Sequence, residues 1–335
     1  MRKEYVILII ISCLLFNMSC AKGEDIWNDD YILYYDTDSL YSENDSIKNN
    51  SPNNNPSGKT DNNNNSTPPV NPLYELIMDI NENPTSSVQG GDVYDKYFFQ
   101  GYNTNACLDI YNIEEKKYIC RLEIPEPKPS IRCHANSVNF GNLRADSTDY
   151  FPLLYISSGY SKNGNSADYF VYAYRIRKDD DDNFVISLVQ TITLSGFGKD
   201  GWTEGIPDIE NNKFWVKYGG QHYACFNMPK LEEGDIILKH DEKIKEIDLG
   251  PQPYTSSNQD HLFVNNKILL VSGVPSKGQS LLFIAINTIT GKREIIIDLQ
   301  KIGITEEPES ISLYGDQLLI GTWHHLYRVM FYNYK

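Results

Sequence analysis

Residues 259–272 read QDHLFVNNKILLVS: a polar pair, an apolar run, Asn265-Asn266-Lys267, and a second apolar run. Asn tolerates positive φ, so an Asn-Asn step between two β-prone runs predicts a tight hairpin. The same phrase recurs. Glu204-Gly205-Ile206-Pro207-Asp208 leads through Asn211-Asn212-Lys213 into Phe214-Trp215-Val216. Glu309-Ser310-Ile311-Ser312-Leu313 leads through Gly315-Asp316-Gln317 into Leu318-Leu319-Ile320. Gln89 opens a further copy that turns at Asp95-Lys96 into Tyr97-Phe98-Phe99. His134-Ala135-Asn136 opens another, whose second strand, residues 153–156, is delayed by an insertion at residues 141–150.

Each copy continues into a second hairpin. Residues 108–111 turn to 118–122, residues 170–176 to 184–192, residues 222–226 to 235–238, and residues 281–286 to 294–298. The last copy ends at residues 326–331 without a fourth strand, while residues 74–80 stand ahead of the first with no partner. An internal repeat of this kind signals radial or solenoid architecture. The pattern predicts an all-β, five-bladed β-propeller with the N-terminal strand completing the last blade, which leaves only short, protected edges. Six blades or a two-sheet sandwich are the alternatives; a sandwich does not explain a polar residue repeated at one fixed position.

The chain has 335 residues, 45 Asp+Glu against 30 Lys+Arg, and a formal charge of −15. That acidity, without a basic stripe, argues against nucleic acid, because phosphate backbones are held by clustered Lys and Arg. Aromatic residues make up 12 %, with 24 Tyr, which argues against a wholly disordered chain.

Residues 1–19 carry Arg2 and Lys3 ahead of an apolar run, the architecture of a signal peptide. Ser19 before Cys20 resembles a lipoprotein signal in which Cys20 becomes the acylated N-terminus; a secreted, unlipidated protein is the alternative. Loss of Arg2, Lys3 and Glu4 takes the charge from −15 to −16. Residues 20–72 form an acidic start and an Asn-rich tether, with Asn at nine of the seventeen positions 49–65. Such a stretch lacks the apolar surface that offsets the entropy of ordering. The propeller then occupies residues 73–335. Localisation is expected at the outer membrane, on the cell surface or the periplasmic face, with the membrane touched through the lipid alone.

Cys107 and Cys120 lie symmetrically about a turn centred near 113.5, which would set them opposite each other and make a disulfide plausible. Two buried thiols are the equal alternative.

The first strand of each blade lines the central channel, so the five aligned polar positions gather at one mouth. They are Gln89, His134 with Asn136, Glu204, Gln259 with Asp260, and Glu309. Buried polar groups cost free energy unless paired, so their convergence points to a ligand, an ion or a water network. A merely wet channel is the alternative. Trp202 offers an aromatic platform. The 141–150 insertion is expected beside the same mouth, with Arg144 as the cation to meet an acidic ligand. No cofactor is predicted; a divalent metal on His134 or His261 with Glu204 or Glu309 stays open, since no zinc set can be assembled. G-x-S-x-G, Walker and H-E-x-x-H motifs are absent from the sequence.

The series Gln89-Gly90-Gly91, His134-Ala135-Asn136, FPLLYIS at 151–157, LVQTI at 188–192 and Glu307-Pro308-Glu309 resembles the motifs of uncharacterised β-propeller lipoproteins of Bacteroidales. The acidic residues after Cys20 resemble the surface-export signal of Bacteroidetes lipoproteins. The chain departs from the series at Asp260 and Ser310, where Gly is usual. A more distant similarity is to five-bladed bacterial glutaminyl cyclases, through Phe99-Gln100-Gly101 and Gly201-Trp202. The resemblance implies fold and location and carries no activity. The expectation is a propeller that binds a glycan or peptide at the mouth. The alternatives are a glycan hydrolase or lyase with Glu204 and Glu309 as acid and base, or a structural subunit of a surface complex.

Overall fold

Hairpin follows hairpin along the body of the chain, and the sheets they build stand in a ring. The computed structural model describes residues 33–34, 73–80, 87–103, 106–125, 134–158, 168–198, 203–250 and 257–334. Residues 1–31, Cys20 among them, lie outside the described residues.

Two strands, β1 (Leu33–Tyr34) and β2 (Tyr74–Asp79), precede the repeat. Blade 1 is β3 (Val88–Tyr94), β4 (Tyr97–Tyr102), β5 (Cys107–Asn112) and β6 (Lys117–Glu123). Blade 2 is β7 (Val138–Phe140), β8 (Leu154–Ser157), β9 (Asp168–Lys178) and β10 (Phe184–Ser195). Blade 3 is β11 (Glu204–Asp208), β12 (Lys213–Tyr218), β13 (His222–Asn227) and, after β14 (Ile236–Lys239), β15 (Lys245–Asp248). Blade 4 is β16 (Asn258–Val264), β17 (Lys267–Ser272), β18 (Leu282–Asn287) and β19 (Lys292–Asp298). Blade 5 is β20 (Pro308–Tyr314), β21 (Gln317–Thr322) and β22 (His325–Val329), completed by β2.

The protein is a five-bladed β-propeller. The turn chemistry is the expected one: Asn265 and Asn266 both take positive φ, 48° and 58°, as a two-residue hairpin turn requires. Ring closure also follows the sequence reading. β2 pairs antiparallel with β22, Tyr74 opposite Val329 and Asp79 opposite His325. The backbone bonds Ile80 N–H to His324 O (2.7 Å) and Met330 N–H to Leu73 O (2.8 Å) extend that seam.

Apolar clusters fill the five joints between blades. Phe99, Phe140, Phe151 and Phe184 meet between blades 1 and 2, and Leu194, Phe214 and Phe226 between blades 2 and 3. Trp215, Phe263 and Ile284 join blades 3 and 4; Val271, Phe283 and Ile320 join 4 and 5; Phe98 and Leu319 join 5 and 1. A blade is therefore covered on both faces, which is why its middle strands read as continuous apolar runs. Seven of the twelve largest fully buried side chains are Tyr, which places much of the Tyr surplus inside these joints.

The structure corrects four details. Residues 236–239 are not the outer strand of blade 3. They run parallel to β10 as a fifth strand of blade 2, Ile192 opposite Ile236. Gln190, at a bulge in β10, donates its side-chain N–H groups to the carbonyls of Lys230 and Gly234 and draws the segment there. Lys245–Asp248 supplies the outer strand of blade 3 instead, with Cys225 opposite Lys245. Second, Leu33 and Tyr34, inside the stretch assigned to the start and tether, pair in parallel with Ile295 and Ile296 of β19.

Third, Cys107 and Cys120 are free thiols and do not face each other. The hairpin register sets Asn112 opposite Lys117, a midpoint of 114.5 rather than 113.5, and a bulge follows at Ile110/Tyr111. Cys107 therefore opposes Glu123, and Cys120 opposes Ile110. Fourth, Arg144 is not at the mouth. β7 runs away from the mouth, so the β7–β8 connection lies at the opposite end, beside the β3–β4 turn. There Arg144 donates to Tyr94 Oη (2.6 Å) and to the carbonyl of Asp149 (2.9 Å), and Tyr150 donates to Asp95.

The Gln89-Gly90-Gly91 motif has a steric cause. A Cβ on Gly90 would stand 2.8 Å from Val138 N and 2.9 Å from Asn136 O, so β3 and the entry to β7 approach as closely as backbones can. Gly90→Ala forces these elements apart. It is expected to lower stability by about 1–3 kcal/mol, the usual cost of overpacking. Urea unfolding midpoints of the two proteins check this; equal midpoints would refute it.

Candidate functional site

The aligned polar positions do converge, and they bond to one another across the axis. Asn136, at the entry to blade 2, donates Nδ2–H to Glu204 Oε1 in blade 3 and to the carbonyl of Gln259 in blade 4 (3.0 Å). Glu204 Oε2 lies 2.6 Å from His261 Nδ1, and Oε1 lies 3.5 Å from Lys217 Nζ. Tyr223 Oη stands 3.3 Å from His261 Nε2. Glu204, Lys217 and His261 are all buried. Burial drives the Glu204 carboxyl upward, but Lys217 and His261 together outweigh it and hold the group below the ordinary carboxylate range.

Asp260 is the second nucleus. Its Oδ2 accepts from Gly91 N–H in blade 1 (3.2 Å) and Ile311 N–H in blade 5 (3.3 Å), and Oδ1 accepts from its own neighbour His261 N–H (2.9 Å). One side chain thus ties three blades. Burial pushes its carboxyl well above the usual range, against the pull of those three donors. Asp92 does similar work between blades 1 and 2, accepting from Phe140 N–H and Val93 N–H (2.7 Å each); burial raises it to about 7. Ser157 Oγ accepts from Gly205 N–H between blades 2 and 3 (3.0 Å).

A third group is not fully paired. Gln259 Nε2 donates to Glu307 Oε1 (2.7 Å). Glu309 is buried, its carboxyl raised by desolvation and then by the negative fields of Glu307 and Asp260. Its Oε2 has no hydrogen-bond partner among the described residues, and neither do Gln89 Oε1 and Gln100 Oε1. Gln89 turns its Nε2 to the carbonyl of Val88 (2.6 Å), and Gln100 donates to the carbonyls of Gln89, Gly90 and Gly101.

The sequence-derived set therefore divides. Asn136, Glu204 and Asp260 form the axial plug; Gln89, Gln259 and Glu309 border it, Gln89 and Glu309 each with a spare acceptor; and His134 is half-buried beside Asn136. Trp202 lies outside the described residues. Among the described residues no group of three His, Cys, Asp or Glu has the arrangement of a metal site. Sequence reading missed Lys217 and Asp92. Lys217 was recoverable from hairpin symmetry: Glu204 and Lys217 are equidistant from the turn at residues 209–212, and the register pairs them directly. Asp92 gave no signal, because its role is to accept from a neighbouring blade's backbone.

Two outcomes follow. Lys217→Met removes one cation from a buried carboxylate and is expected to cost about 3–5 kcal/mol, the usual penalty for an orphaned buried charge. Adding Glu204→Gln to it should recover part of that loss; a purely additive double mutant in urea unfolding would refute the coupling. The second concerns pH. Asp92, Asp260 and Glu309 all have folded pKa values above their unfolded ones, so their contribution is complete below about pH 4. It is lost as pH rises, for Asp92 through about 7. Each such group lowers stability by about 1.4 kcal/mol per pH unit inside its window. The lowered Glu204 works the other way, but only below the ordinary carboxylate range. The urea midpoint is expected to be higher at pH 5 than at pH 8, and Asp92→Asn should flatten the profile; a midpoint that rises with pH would refute this.

No family model and no curated protein matches the chain. Among solved structures, glutaminyl cyclase of Myxococcus xanthus is similar at 13 % identity and a TM-score of 0.46, over 77 % of this chain and 95 % of that one. The tail fibre of Staphylococcus aureus phage P68 is similar at 12 % identity and a TM-score of 0.47, over 78 % of this chain and 53 % of that one. At these scores neither likeness bears on activity.

Proposed function

We propose that this chain is a lipid-anchored propeller of the cell envelope that binds a glycan or a peptide at the mouth end of its axis. The anchor rests on the leader pattern and Cys20 alone. The binding reading rests on one observation: Glu309 Oε2 is a buried acceptor without a protein donor. A buried polar atom left unpaired costs about 1–3 kcal/mol, and a ligand hydroxyl or amide N–H at the mouth removes that cost. Gln89 Oε1 and Gln100 Oε1 add two acceptors with the same need. Sugars and peptides both present the matching donors.

The hydrolase or lyase reading loses its base. Both Glu204 oxygens are engaged, by Asn136 and Lys217 on one side and by His261 on the other, so Glu204 is a structural carboxylate. Burial raises the Glu309 carboxyl, the direction that suits a general acid rather than a base.

Glycan and peptide arrays probed with wild type, Glu309→Leu and Arg144→Ala test the proposal. Binding by Glu309→Leu is expected to fall about tenfold, the equivalent of about 1.4 kcal/mol for one buried hydrogen bond. Arg144→Ala, at the far end, should bind as wild type. Equal binding by Glu309→Leu would overturn the mouth assignment.

A further inference from the structure

Away from the axis, a cleft of about 460 Å³ opens between the outer strand of blade 1 and the β9–β10 turn of blade 2. Ile119, Cys120, Arg121 and Leu122 all line it. Side chains alternate faces along a strand, so four consecutive residues share one cleft only if the strand presents its edge. That edge is the outer one of β6: β5 takes the other, and among the described residues no strand pairs with this one. In an antiparallel pair, alternate residues turn N–H and C=O outward, and an open row of such groups is a template for another strand.

The molecule shows how that template is used elsewhere. Blade 2 and blade 4 each carry a fifth strand on the corresponding edge, β14 on β10 and β1 on β19. Both run parallel to the fourth strand. Blade 1 has the same edge, with an open cleft beside it. Charge gives the direction a preference. β6 begins at Lys117, and Glu115 and Asp181 line that end of the cleft, both exposed. Arg121 is committed to Asp109 by two 2.7 Å bonds, and Asp182 to Lys178 at 2.9 Å. Glu115 and Asp181 therefore face one uncommitted cation, Lys117. A parallel strand enters at this end, so cations at its start are favoured.

We propose that the outer edge of β6 binds an extended segment of a partner polypeptide as a fifth, parallel strand of blade 1, with basic residues at its N-terminal end. Main-chain hydrogen bonds supply the affinity in this mode and flanking side-chain pockets the selectivity. Phe184 and Ile119 form the apolar walls, and the Glu115–Asp181 pair reads the cations.

Hydrogen exchange of the whole protein tests this, with a synthetic peptide of alternating Val and Thr behind two Lys as the probe. Exchange across residues 117–123 is expected to slow about tenfold with the peptide present, since newly laddered amides are protected. The same peptide N-methylated at alternate residues cannot form the ladder and should give no protection. A Glu115→Lys, Asp181→Lys variant should lose the protection and gain it from a peptide led by two Glu. No protection by the lysine peptide at millimolar concentration overturns the proposal. So does equal protection by the N-methylated peptide, or indifference to the charge reversal.

Discussion

The ring depends on the carboxylates at its axis. The inner strands of the five sheets turn backbone N–H groups, such as those of Gly91 and Ile311, toward neighbouring blades where no strand pairs with them. Asp260 accepts from the backbones of two other blades, and Glu204 holds a cation and an imidazole from either side of the joint between blades 3 and 4. An ionised carboxylate alone at such depth is prohibitive. Lys217 and His261 make the Glu204 carboxylate tolerable, and three backbone N–H donors offset part of the cost at Asp260.

That division separates paired from unpaired polar groups along a single axis. Saturated groups cannot bind anything without losing a partner. Glu204 and Asp260 hold partners at both carboxylate oxygens, and Asn136 donates twice. Glu309, Gln89 and Gln100 keep an acceptor in reserve. The same polar position in the repeat thus serves as a fastener in blades 2 to 4 and leaves a buried acceptor without a partner in blades 1 and 5.

The fold was legible because its signals are local. Asn265-Asn266 and Gly315 mark turns by backbone preference, and the unpaired N-terminal strand could be matched to the missing one by counting. The errors have local causes too. The bulge at Ile110/Tyr111 shifted the partner of Cys107, and Gln190, reaching 40 residues ahead to Lys230, drew β14 onto the wrong blade for a sequential reading. Arg144 was misplaced because strand direction decides which end a loop serves, and the motif alone carries no direction. The convergence of Asn136 with Glu204 was readable from alignment, and His261 was read as a neighbour of Glu204; Lys217 was missed because it sits in a strand whose apolar run drew the reading, although the hairpin register pairs it with Glu204.

The seam between β2 and β22 has a consequence for how this chain is made. Asp79 meets His325, so the strand that closes the ring waits for a partner synthesised long after it. Contacts so distant in sequence form slowly, and an unpaired strand is an invitation to wrong partners while it waits. Blades 1 to 4 can assemble as their hairpins emerge, but an open arc lacks the joint that fixes its curvature. Completion is therefore a late, cooperative event, and a chain lacking β2 or β22 would be left with a gap where blade 5 should lock.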